Sequence, residues 1–140
     1  MDDRLSHFIR TYDDALPRDF CARLVEGFEQ QVAAQYRAGR GTRPGFDDSA
    51  WTELDIGRLA DDAFRGFFLK AIEDSLARYN RDTGLGIPVP FRPKTAKLVM
   101  KRYRAGGDES FQPHFDSIDE ASARYMVFLW YLNDVERGGE

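Results

Sequence analysis

Cysteine is nearly absent: Cys21 is the only one in the chain. A lone thiol closes no internal disulfide, so this is not a small stapled secreted domain. Histidine is scarce too, with only His7 and His114. That is too few for the histidine-rich zinc sites of metal-dependent hydrolases. A basic excess is also missing. The formal net charge is −4, whereas a surface that binds phosphates wants the opposite sign. The local basic cluster Lys94, Lys97, Lys101, Arg102 and Arg104 alternates along a predicted strand, as a solvated strand face does. The opening MDDRLSHFIR has neither a basic n-region nor an apolar h-region, and no membrane span is apparent. There is no internal repeat and no low-complexity tract. The expectation is a soluble cytoplasmic protein with no nucleic-acid partner and no membrane partner. Its oligomeric state is not encoded in any feature of the sequence.

What is present suffices for one domain spanning residues 1–140. Hydrophobic residues make up 42% and aromatic residues 14%, enough for a core. LSHFIRTYDDAL has short apolar runs with β-formers and is predicted as a strand ending at Leu16-Pro17. A helix is predicted over 17–38, with Phe20, Leu24, Phe28 and Val32 recurring every four residues. Gly39 and Gly41 stop it, and GRGTRPGFDDSA is a loop. WTELDI alternates as a short strand does. A second helix, 58–82, carries Leu59, Ala63, Phe64, Phe67, Phe68, Ala71, Ile72, Leu76 and Tyr79 on one face, with Gly84 as its stop. LGIPVPFRP must be extended or turning.

From Thr95 the texture changes to β. AKLVMKRYR alternates, SFQPHFD is predicted as a short strand, SIDEASA as a polar loop, and RYMVFLWYLN as a strand covered on both faces. Helices first and strands afterwards suggest an α+β domain, with helices packed on one sheet.

The second histidine lies in the stretch FQPHFDSIDE. On a strand, residues i and i+2 project from the same face. His114 and Asp116 therefore stand side by side, with Phe115 packed into the opposite layer. An imidazole and a carboxylate so placed take two adjacent positions on one metal ion. With one more histidine they make the facial triad of non-haem iron enzymes. The tripeptide alone is a weak signal: a chain this rich in aspartate contains one by chance roughly one time in five.

The wider order is more specific. Tyr103-Arg104-Ala105-Gly106 is followed by Phe111, by His114-Phe115-Asp116, by Arg124, by a strand ending Tyr131-Leu132-Asn133, and by Gly138-Gly139-Glu140. Residues 97–140 resemble the iron(II)- and 2-oxoglutarate-dependent dioxygenases, in particular the prolyl 4-hydroxylase-like branch. The resemblance implies a double-stranded β-helix, or jelly roll. Here it is incomplete, with helical support in residues 1–93 and barrel strands in 94–140. It implies that His114 and Asp116 are two iron ligands and that the Tyr131 hydroxyl reaches the far carboxylate of 2-oxoglutarate. Tyr103 would be a second tyrosine of that cosubstrate pocket, and Arg124 would stand near the substrate. It implies Fe(II) as cofactor, 2-oxoglutarate as cosubstrate, ascorbate as an accessory, and hydroxylation of an unactivated C–H bond in a small-molecule or peptidyl substrate, such as a prolyl residue. Independently of the resemblance, alternation places Tyr125, Val127, Leu129 and Tyr131 on one face, where they line a pocket. Met126, Phe128, Trp130 and Leu132 lie on the other, where they fill a core. The plainer readings are a core aromatic for Tyr131 and for Tyr103, and a solvated strand-opening residue for Arg124.

The family pattern continues to a second metal histidine and a basic residue that pairs with 2-oxoglutarate, and neither follows Gly138-Gly139-Glu140. The chain is therefore expected to be the N-terminal portion of a longer enzyme, inactive and weak in iron binding by itself. His7 is the only other histidine, and it completes the site only if the N-terminal strand runs beside it. Two rivals remain: a non-catalytic jelly-roll binding module and a zinc-dependent hydrolase.

Overall fold

Asp61 begins the longest element of the protein. In the computed structural model, which describes residues 3–42, 45–117 and 121–137, its carboxylate accepts a hydrogen bond from the Phe64 amide at 2.8 Å. Such an N-cap satisfies an amide that the helix cannot. Helix α4 then runs Asp62–Thr83 and ends at Gly84, whose left-handed φ of 59° suits a residue without Cβ. The stripe Phe68, Ile72, Leu76 is buried along it.

Among the described residues three other α-helices precede it: α1 (Asp3–Ser6), α2 (Arg18–Gln30) and α3 (Ile56–Leu59). The predicted helix 58–82 is thus two helices, because Asp61 caps a new start after Ala60. Helices α2 and α4 meet through phenylalanines, with the Phe20 ring 4.7 Å from Phe67 and 6.0 Å from Phe68.

The predicted helix 17–38 also ends early. Gln31 leaves helical geometry, a short 3₁₀ turn covers Val32–Ala34, and β1 follows at Tyr36–Gly39. Little in YRAG favours a strand. Pairing with β2 (Ala50–Asp55) decides it, from Tyr36 opposite Glu53 to Gly39 opposite Ala50. β2 is central and pairs on its other side with β3 (Val99–Arg102), from Thr52 opposite Arg102 to Asp55 opposite Val99. The result is a three-stranded antiparallel sheet ordered β1-β2-β3. Two of its strands lie before residue 94, so the sheet is not confined to the second half of the chain.

The core draws its buried residues from α2, α4 and the central strand. Phe28, Leu54, Phe68 and Leu76 are each almost wholly buried. The Arg102 guanidinium lies over the Phe28 ring at 5.2 Å and ties β3 to α2 through Glu29, 2.8 Å away. The domain is therefore mixed helix and sheet.

The N-terminal stretch is not the predicted strand. After α1 it runs irregularly along the end of α4. His7 Nε2 donates to the Thr83 carbonyl at 2.9 Å, and Tyr79 donates to the Phe8 carbonyl at 3.0 Å. An apolar run that docks on a helix needs no strand partner.

Candidate functional site

Cross-strand neighbours share a face of a sheet. One face here presents Tyr36, Trp51, Glu53 and Lys101. Trp51 Nε1 donates to Glu53 at 2.8 Å, and the Tyr36 hydroxyl donates to the other Glu53 oxygen.

The segment that carries His114 is fastened to the start of β2. Ser110 makes an isolated bridge to Ala50, with the Ala50 amide donating to the Ser110 carbonyl at 2.9 Å. The Gln112 amide donates to the hydroxyl of the fully buried Ser49 at 2.9 Å. The Gln112 side chain donates to the Gly45 carbonyl at 2.7 Å. Beyond that bridge, residues 111–117 are bent rather than stranded. Pro113, which has no amide hydrogen to donate, cannot continue a ladder. Phe115 is 84% exposed instead of packed into an opposite layer.

The side-by-side placement of His114 and Asp116 survives this change of backbone. His114 Nε2 lies 3.2 Å from Asp116 Oδ1, and Nδ1 lies 2.9 Å from the Gln112 carbonyl. Both ring nitrogens thus face oxygens that accept. A neutral imidazole has one N–H and can satisfy one of them. The other nitrogen then presents a lone pair beside a carboxylate oxygen, a pair of donor atoms able to hold a cation between them. If Nδ1–H donates to the Gln112 carbonyl, Nε2 keeps its lone pair toward Asp116, as a metal-ligating histidine does. Ligands about 2.1 Å from a metal in adjacent octahedral positions lie roughly 3.0 Å apart. The observed 3.2 Å separation fits two such positions. His7 contrasts with this: its Nε2 serves Thr83 and its Nδ1 accepts from Arg10 at 3.2 Å. A neutral imidazole satisfies both contacts there, donating to Thr83 and accepting from Arg10, and His7 stays with α4. Among the described residues no group of three or more His, Cys, Asp or Glu could hold a metal.

Asp116 also lines an open cleft of about 1490 Å³. Arg124 and Tyr131 line the same cleft, opposite the N-terminal stretch and α2. Its long wall is residues 125–133. They form no ladder among the described residues. The predicted alternation is present all the same. Tyr125, Val127, Leu129 and Tyr131 are exposed, whereas Met126, Phe128, Trp130 and Leu132 are half-buried. Trp130 stands edge-on to Phe68 of α4 at 5.4 Å. One face is therefore covered by the helix and the other is open, rather than both being covered.

Tyr131, 75% exposed, is not a core aromatic. It lies near enough to Tyr103 to affect it. The Tyr103 phenol is pushed up to about 12, by partial burial first and then by Glu53, Glu109 and Tyr131. Tyr103 is therefore a neutral hydrogen-bond donor at physiological pH. Arg124 is exposed, and its amide donates to the Ala121 carbonyl at 2.9 Å.

The structure thus brings Asp116 together with His114, with Arg124 and Tyr131 along the same cleft, and Tyr103 with Tyr131. The Gly138-Gly139-Glu140 turn lies outside the described residues. Of the supports of His114, Phe111 and the Gln112 carbonyl are its near neighbours in the chain, whereas Ser49 reaches Gln112 only through the fold and carries no signal in the sequence.

No family model, no curated protein and no solved structure matches this chain. Among the described residues no helix is long and apolar enough to cross a membrane.

Proposed function

We propose that this chain carries the His-x-Asp part of an iron(II)- and 2-oxoglutarate-dependent dioxygenase site of the prolyl 4-hydroxylase-like kind, on a bend at the edge of an incomplete jelly roll. The observation that carries the proposal is the histidine with two acceptor oxygens and one proton to share. His114 and Asp116 would hold Fe(II), and the Gln112 carbonyl would fix the imidazole tautomer. The bound metal, with 2-oxoglutarate and oxygen, supplies the oxidising power: C–H becomes C–OH while 2-oxoglutarate becomes succinate and carbon dioxide. The chain's own residues position the reactants. Tyr131 and the protonated Tyr103 offer donors to a carboxylate of the cosubstrate. Arg124 stands on the same cleft wall for a substrate, small-molecule or peptidyl, and ascorbate would act as an accessory.

The second reading, a binding module without iron, is favoured by the same contact with a proton in the metal's place. Anaerobic titration with Fe(II) and 2-oxoglutarate separates the two. The oxygenase gives a weak charge-transfer band in the visible that is lost in His114→Ala. The binding module gives none in either protein. A zinc hydrolase would take up zinc in preference and ignore the oxoacid.

A further inference from the structure

The His114 imidazole does not stand alone on its bend. It lies flat against the Phe111 ring, with centroids 3.9 Å apart and planes 20° from parallel. Phe111 in turn packs on Trp51 of the central strand at 4.6 Å. Lys101 of β3 places its ammonium 4.6 Å from the Trp51 ring and 4.5 Å from the Phe111 ring. Phe46 closes the side, 5.7 Å from Phe111 and 6.3 Å from His114. Three rings thus form a column from the buried middle of the sheet to the edge of the candidate site.

We propose that Phe111 is a positioning residue for His114. Its ring fixes the plane of the imidazole so that Nε2 faces Asp116 while Nδ1 meets the Gln112 carbonyl. The use of this positioning rests on the iron reading above; the positioning itself rests on the column. A histidine's χ2 rotation is soft, with no sharp staggered wells to hold the ring. The His114 side chain is 29% exposed, so surrounding packing alone leaves it room to turn. A flat ring 3.9 Å away removes that freedom, and the Gln112 carbonyl then selects one of the two flipped orientations. Phe111 can act as a fixed shelf because Trp51 is 6% exposed and the Lys101 charge lies over both rings.

The test is nuclear magnetic resonance of the His114 ring together with Co(II) uptake. In the unmutated protein, Overhauser contacts between the His114 and Phe111 ring protons are expected, and ring current should shift the His114 protons upfield. Their absence overturns the proposal without any variant. In Phe111→Leu the upfield shift should vanish and Co(II) affinity should fall about tenfold to a hundredfold, as when an outer support of a metal ligand is lost. Phe111→Tyr keeps the flat ring and should restore both. His114 signals and Co(II) affinity that do not move in Phe111→Leu overturn the positioning role. Co(II) uptake that His114→Ala does not weaken overturns the iron reading, and the purpose of the positioning with it. The ring signals tell that failure apart from the first.

Discussion

Nε2 of His114 and Oδ1 of Asp116 stand 3.2 Å apart with only Phe115 between them in the chain. Both side chains are partly exposed, so little of the fold depends on them. Asp116→Asn keeps the size and removes the charge. It should weaken Co(II) uptake by about tenfold or more while leaving the unfolding free energy within roughly 0.5 kcal/mol. Calorimetric titration and thermal unfolding read the two quantities. An unchanged affinity would remove Asp116 from the metal.

Tyr103 should ionise at a higher pH than an ordinary tyrosine. Its folded value, about 12, stands above the ordinary 10.0. A raised value means that the unfolded chain loses this proton first as pH rises. The stability Tyr103 contributes is therefore complete below pH 10 and is lost as the pH climbs through 12. Phenolate absorbance should lose a late-titrating group in Tyr103→Phe. A late phase of unchanged size in that variant would mean that Tyr103 does not carry it.

Tyr131→Phe removes a hydroxyl from an exposed side chain. Thermal stability should not change measurably. On the iron reading, more 2-oxoglutarate should be needed for half of the visible band. An unchanged requirement would separate Tyr131 from the cosubstrate.

Gly39 holds a φ of +94°, and a Cβ there would meet the Ser49 carbonyl oxygen at 2.2 Å. Gly39→Ala must push β1 away from Ser49, at a cost of roughly 2–4 kcal/mol. The Ser49 hydroxyl also holds the Gln112 amide, so the His114 resonances should move as well. A wild-type melting temperature in Gly39→Ala would show that the hairpin yields without strain.

Leu76 is 1% exposed on α4. Leu76→Ala leaves a cavity and should cost about 2–5 kcal/mol. Denaturant unfolding measures it, and a loss under ~1 kcal/mol would mean that the core closes around the smaller side chain.

The long helices were legible because their apolar residues recur every three or four positions. Phe20, Leu24 and Phe28 mark α2, and Phe64, Phe68, Ile72 and Leu76 mark α4. Asp61 was a readable start signal that the continuous apolar pattern masked, so two helices were read as one. The β2 strand was visible in WTELDI. β1 was not, because YRAG becomes a strand only through its ladder with residues 50–53. The N-terminal run LSHFIR has strand-like composition, but docking on Thr83 and Tyr79 overrides it. At the site, His114 and Asp116 were expected side by side on a strand; they meet instead on a bend, which the spacing does not dictate. The support under His114 was hidden because Trp51 and Phe111 are far apart in sequence. Only the pairing of β2 with Ser110 brings them together.

That single bridge has a kinetic consequence. Residues 110–117 hang from β2 by one backbone bridge and a few side-chain bonds, whereas β2 itself is laddered on both edges. The hanging segment can detach and reattach while the sheet stays whole, as a separate low-energy opening. The Gln112 amide should then exchange its hydrogen far sooner than the Thr52 amide, and each opening would lift His114 off the sheet without unfolding it.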